Sequence, residues 1–124
     1  MKIPEGHQTI MPYIIVESAE KFVAFLKRVF GAREKFVVHQ PDDGSIMHAE
    51  YTIGASTVML ANSTTNYKAC PAGLYIYVEN TDDTFEKATK AGVTVIDKPS
   101  NKEYGRTAGF KDEFGNTWWI VTPL

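Results

Sequence analysis

The chain has 124 residues, the usual size of one domain. Its 44% hydrophobic and 23% charged residues are globular proportions, which excludes bulk disorder and collagen-like structure. A formal net charge of -2, with Lys and Arg scattered among acids, excludes a basic nucleic-acid footprint, and no run of about 18 apolar residues is present to span a membrane.

Met1 to Gln8 is polar and reads as a loose lead-in without the apolar core of a secretory signal, so the expected location is cytoplasmic. Ile10 to Val16 is rich in β-branched and aromatic residues and reads as a strand. Pro12 removes a ladder donor, which places that strand at a sheet edge or puts Pro12 among its first residues. Ser18 is the expected N-cap of a helix whose apolar residues Ala19, Phe22, Val23, Leu26, Val29 and Phe30 recur at helical spacing. Gly31 suits the position just past its end, where a positive φ costs glycine nothing. Glu34 to Gln40 is a second strand, and Asp43-Gly44 suits a tight hairpin into a third, Ile46 to Ile53. In that third strand Met47, Ala49, Tyr51 and Ile53 share one face, and His48 and Glu50 the other. Gly54-Ala55 turns into a fourth strand, Thr57 to Ala61, and Asn62 to Pro71 is a polar linker.

The order then repeats. Leu74 to Val78 is a strand, and Asn80 caps a helix running through Ala91. Val93 to Ile96 is a strand, Asp97 to Gly105 a loop carrying Pro99, and Thr107 to Lys111 and Thr117 to Thr122 are the last strands. Val16-Glu17 returns as Val78-Glu79, 62 positions on, and the hairpin glycine Gly54 returns as Gly115, 61 positions on. Two landmarks agreeing within one position mark an internal repeat. The whole chain, 1–124, is thus one domain of two βαβββ modules, residues 9–61 and 72–124, joined by the linker 62–71. It belongs to the α+β class, a mixed sheet with helices on one face. The other face is either solvent or the wall of a cavity.

At this point the sequence resembles the vicinal-oxygen-chelate superfamily, which contains glyoxalase I, fosfomycin and bleomycin resistance proteins and extradiol dioxygenases. It is most similar to the PhnB-like branch. The residues that carry the resemblance are Met11-Pro12-Tyr13, Phe30-Gly31-Ala32, Met47-His48-Ala49-Glu50, Ile53-Gly54, Tyr77-Val78-Glu79 and Asp112-Glu113-Phe114-Gly115. Their order and spacing cover nearly the whole chain. The resemblance implies a curved mixed sheet around a cleft with the helices outside, and a homodimer. The unprotected edge of the first strand adds to the dimer expectation.

The resemblance also assigns metal ligands to four positions, occupied here by Met11, Val58, Gly73 and Trp119. None is a competent ligand for a divalent metal at neutral pH; methionine suits only soft metals. Shifting the register by one, to Pro12, Met59, Ala72 and Trp118, supplies none either. The expectation is therefore no metal and no cofactor.

By the family's geometry Tyr13, Tyr75, Tyr77 and Trp119 face the concave side, where aromatic rings suit a flat, partly apolar ligand. Trp118 then belongs to the core. His48 with Glu50 beside it is a candidate general base near neutral pH, and both are also candidate ligand contacts. Arg106 is a candidate for a bidentate anion contact. His7 and His39 are weak candidates, and Cys70 is a lone cysteine without an assigned histidine partner.

The leading functional reading is a metal-independent small-molecule binding protein with an aromatic-lined cleft. One alternative is an enzyme (lyase, thiol transferase or dioxygenase-like) that uses a non-family metal site or His48 as general base. Another is a protein-interaction module whose cleft is filled by side chains. The expected partners are a small molecule and a second copy of the chain, with neither nucleic acid nor membrane.

Overall fold

The computed structural model describes all residues, 1–124. It divides into two compact units, Met1–Cys70 and Pro71–Leu124, each described by itself. In the first, β1 (Tyr13–Val16) leads into α1 (Ala19–Phe30), followed by β2 (Arg33–His39), β3 (Ile46–Ile53) and β4 (Ser56–Asn62). In the second, β5 (Gly73–Tyr77) leads into α2 (Thr81–Lys90), followed by β6 (Thr94–Lys102), β7 (Gly105–Lys111) and β8 (Thr117–Pro123). The βαβββ order is present twice. The expected sheet is built as two four-stranded mixed sheets ordered β1-β4-β3-β2 and β5-β8-β7-β6, with the first and last strands of each unit parallel.

Pro12 explains where β1 begins and where it lies. Lacking an N–H, it stands just before the first strand residue, and its carbonyl accepts from the Met59 amide at 2.9 Å. β1 is an edge strand, as the proline requires. In the second sheet the edge strand β6 runs on through Lys102, where a loop was expected. Pro99 is tolerated there because the register slips between Val95 and Asp97 and again between Asp97 and Ser100, so the ladder does not call on its missing donor.

In the first unit α1 lies against one face of its sheet. Phe22, Leu26 and Val29 are buried with Ile14, Val16, Ala49, Val58 and Leu60. Fully burying such side chains is worth about 1.5–3 kcal/mol each. Gly31 ends the helix at φ 66°, and the amides of Gly31 and Ala32 return to the carbonyls of Lys27 and Leu26. The start of α1 differs from expectation. Ser18 makes no capping bond; the Ala19 amide instead donates to Asn62 Oδ1 at 2.9 Å, so a residue at the end of β4 supplies the cap.

In the second unit Ala88 of α2 is buried on the sheet face carrying Phe110, Trp118 and Ile120. Asn80 is the cap expected from sequence: its side-chain oxygen accepts from the Asp83 amide at 3.0 Å. Replacing Asn80 with alanine is expected to cost about 1 kcal/mol of stability, read as a lower urea midpoint with an unchanged denaturant slope.

Candidate functional site

The face of each sheet not covered by its helix carries the candidate site residues. In the first unit one transverse line crosses all four strands: Tyr13 pairs with Met59, Met59 with Glu50, and Glu50 with Phe36. His48 stands two residues before Glu50 on the same side, paired with Val38. In the second unit the equivalent line is Tyr75, Trp119, Gly109 and Asp97.

Glu50 is the centre of the first line. It is only 3% exposed although it lies on the open face, and the amino-terminal segment is part of what covers it. The Thr57 hydroxyl donates to the Gly6 carbonyl at 2.6 Å, and the Gln8 side-chain amide donates to the Thr57 carbonyl at 3.2 Å. Between these anchors His7 Nε2 reaches Glu50 Oε1 at 2.7 Å. Lys35 Nζ stands 3.8 Å from the same oxygen and 3.5 Å from the Thr57 hydroxyl. Lys35 points this way because the β2–β3 register slips between Glu34 and Phe36, a bulge that re-aims the residue within it. The close approach also needs Gly6, which has φ +81°, since a methyl group there would lie 2.7 Å from the lysine nitrogen.

His48 is held more loosely. Its Nδ1 is 3.5 Å from the Tyr13 hydroxyl, and its Nε2 is 3.8 Å from Glu50 Oε2. Tyr13 meets the imidazole edge-on, with centroids 5.5 Å apart, and Phe36 tilts over it at 5.8 Å. The structure therefore brings Tyr13, His48 and Glu50 together with His7, a grouping conceivable from the sequence only as a metal cluster, and adds Lys35 and Phe36, which the sequence did not single out. His7 lay in a segment with no apolar period, and Lys35 needed a bulge that no turn residue announces.

In the second unit Tyr75, Tyr104 and Trp119, with Asp97, Lys102 and Thr107, line a recess of about 140 Å³. The Trp119 ring lies flat over Gly109, whose missing side chain makes the space. Tyr75 and Tyr77 meet edge to face at 5.6 Å. The Tyr75 phenol is held above its ordinary pKa, first by partial desolvation and then by the neighbouring Tyr77 and Tyr104. Trp118, one residue on, is buried on the opposite face, as expected.

Arg106 does not join these residues. Its strand partner is Thr122, whose hydroxyl serves the start of α2, so it belongs to the helix side of the sheet. Its guanidinium forks onto Asp82, with Nε to Oδ2 at 2.7 Å and a second nitrogen to Oδ1 at 3.0 Å. That pairing lowers the Asp82 pKa and raises that of Arg106. On the helix side of the first sheet, Tyr51 donates to Glu34 at 3.2 Å, and its pKa is pushed up to about 12 by burial first and by Glu34 second. Tyr51 is therefore a structural phenol rather than a base.

The four positions to which the resemblance assigns a metal do not fit one. Met11 sulfur accepts the Gln8 amide at 3.4 Å, and Gly73 has no side chain. Val58 pairs with Tyr51 and is buried on the helix side, while Trp119 presents a ring to the open face. No three His, Cys, Asp or Glu side chains converge in a way that could hold a metal ion. No helix is long and apolar enough to cross a membrane.

Two βαβββ units, each a four-stranded mixed sheet with one helix, define the glyoxalase-like class of fold. The sequence profile described as Glyoxalase/Bleomycin resistance protein/Dioxygenase superfamily matches residues 7–120, and the chain belongs to that superfamily. It is similar to the uncharacterized protein Mb0911c of Mycobacterium bovis, 28% identical over 127 aligned positions that cover 93% of this chain and 83% of that protein. Among solved structures it is similar to TioX from Micromonospora sp. ML1, with a TM-score of 0.72, 24% identity and coverage of 94% and 99% of the two chains. It is also similar to a PhnB protein from Bacillus cereus described as a putative 3-demethylubiquinone-9 3-methyltransferase. There the TM-score is 0.72, the identity 17% and the coverage 93% and 99%. These likenesses are of fold, and the PhnB-like branch named from sequence is among them.

Proposed function

We propose that the chain is a metal-independent small-molecule binding protein whose ligand lies against the aromatic open face of the second unit's sheet. The observation that carries this reading is the recess of about 140 Å³ beside Trp119, Tyr75 and Tyr104. An engineered apolar cavity of about 150 Å³ accepts benzene, so the recess matches a single substituted ring. Asp97 and Lys102 in its lining offer orienting polar contacts. Membership of a superfamily that includes bleomycin resistance proteins supports binding as a sufficient role.

The test is a thermal-shift screen of one- and two-ring aromatic compounds, followed by tryptophan fluorescence titration. A hit at about 100 times its Kd stabilises the folded chain by about 2.7 kcal/mol. It is expected to quench Trp119, to survive exhaustive chelation, and to be lost in Trp119→Ala. A ligand effect that disappears on chelation, or one mole of metal per chain in protein purified without added metal, overturns the reading.

A second reading, acid–base catalysis through His48, is favoured by the placement of its Nε2 toward buried Glu50. It requires that His48→Ala abolish a measured turnover while the fold survives. The homodimer remains a proposal resting on the resemblance. Cys70 bridges to Ile15 along β1, so part of the edge that argued for a second copy is closed within the chain. Light scattering at several concentrations tests it.

A further inference from the structure

We propose that Glu50 Oε2 and His48 Nε2 together receive the hydroxyl group of a phenolic ligand. The proposal rests on the small-molecule binding reading and adds a separate site on the first unit, with a named chemistry.

The argument starts from the two oxygens of one carboxylate. Oε1 is hydrogen-bonded to His7 at 2.7 Å, and the Lys35 ammonium stands 3.8 Å from it. Oε2 has only His48 Nε2 near it, at 3.8 Å, too far for a hydrogen bond. Every buried side-chain nitrogen and oxygen in the chain has a hydrogen-bond partner. Oε2 lacks one, so it is not sealed in; it is the oxygen that opens outward from a residue otherwise 3% exposed. A carboxylate buried this far with one oxygen turned outward favours a donor from outside.

The spacing says which donor. Two polar atoms 3.8 Å apart are too close to take separate groups side by side. They are well placed to share one atom lying about 2.8 Å from each. That atom must donate to the carboxylate and accept from the imidazole. When the Tyr13 hydroxyl donates to Nδ1, the imidazole proton sits on Nε2 and points to the shared position. A hydroxyl oxygen both donates and accepts; an ammonium or amide nitrogen does not accept. The surroundings say what carries the hydroxyl. Tyr13 and Phe36 flank His48, and Phe36 and Val38 are exposed on the strand beside it, an apolar and aromatic surface suited to a ring.

The experiment is a spectrophotometric titration of the protein against 4-nitrophenol, at a pH where the probe is half ionised, with 4-nitroanisole as the methylated control. A negative carboxylate at the contact selects the neutral phenol, so binding is expected to bleach the yellow phenolate band. The ether, which cannot donate, is expected to bind at least about tenfold more weakly. Glu50→Gln is expected to lose about tenfold in affinity. His48→Ala, at a partly exposed position, is expected to lose a similar factor. Growth of the phenolate band, equal affinity for phenol and ether, or unchanged affinity in His48→Ala overturns the phenol site. Equal affinity with Trp119 still quenched by hits from the aromatic screen sinks this proposal alone. If no aromatic compound binds at all, the broader reading falls with it.

Discussion

Replacing Asp112 with alanine is expected to destabilise the chain by about 3 kcal/mol or more, since each buried donor left unsatisfied costs about 1–3 kcal/mol, a large fraction of the 5–15 kcal/mol by which such domains are stable. The carboxylate is buried in the turn between β7 and β8 and accepts four hydrogen bonds. Oδ1 takes the amides of Phe114 and Asn116, each at 2.9 Å, and Oδ2 takes the Asn116 side-chain amide at 3.0 Å and the Trp118 indole N–H at 2.8 Å. Asn116 is 0% exposed and Trp118 2%, so water cannot replace the lost acceptor. The damage extends beyond the turn, because Asn116 Oδ1 accepts the Ala72 amide at 2.9 Å and so ties the hairpin to the start of β5. Asp112→Asn keeps an oxygen in place but substitutes a donor for Oδ1 or Oδ2, and about half the loss is expected. Urea unfolding of both variants checks the order. A loss below about 1 kcal/mol for the alanine variant would show that the four bonds are replaced by something else.

The repeat explains both what could be read in the sequence and where reading stopped. Strand and helix order followed from local signals: the apolar spacing through Phe22, Leu26 and Val29, the αL glycine at Gly31 and the Asn80 cap each act within a few residues. The shared side of His48 and Glu50 followed from a period of two, which strand pairing preserves, and the open-face placement of Tyr13, Tyr75 and Trp119 from the resemblance. Contacts made across the sheet were not legible. Ser18 is an acceptable cap by type, but Asn62, 43 positions away, does the capping. His7 finds Glu50, also 43 positions away. Arg106 was a candidate for an anion, yet on the helix side of the sheet Asp82 of α2 captures it. In each case a distant residue decides, and nothing local to the chain announces it. The cross-sheet lines also show how the two copies have parted chemically. Tyr13 and Tyr75 are equivalent and unchanged, but the place of Glu50 in one copy is the place of Gly109 in the other. One copy keeps a carboxylate at mid-sheet and the other keeps a gap.

That gap makes Gly109→Ala the sharpest test of the second unit's recess. Gly109 and Trp119 are direct neighbours across β7 and β8, and a methyl group at 109 would overlap the six-membered ring of the indole. The ring cannot sink into the sheet, where Trp118, Phe110 and Ile120 already fill the helix side. It must swing outward, and the recess it shares with Tyr75 and Tyr104 loses its wall. Overpacking of this kind costs about 1–3 kcal/mol, toward the lower end here because Trp119 is 37% exposed and has somewhere to go. Ligand affinity is expected to fall by about tenfold or more while the second unit still folds. The readout is direct, since the chain has two tryptophans and Trp118 is buried and silent to the change. Trp119 emission is expected to shift to the red, with faster acrylamide quenching. A variant with native emission and native ligand affinity would mean that the flat seating of Trp119 on Gly109 does not build the site.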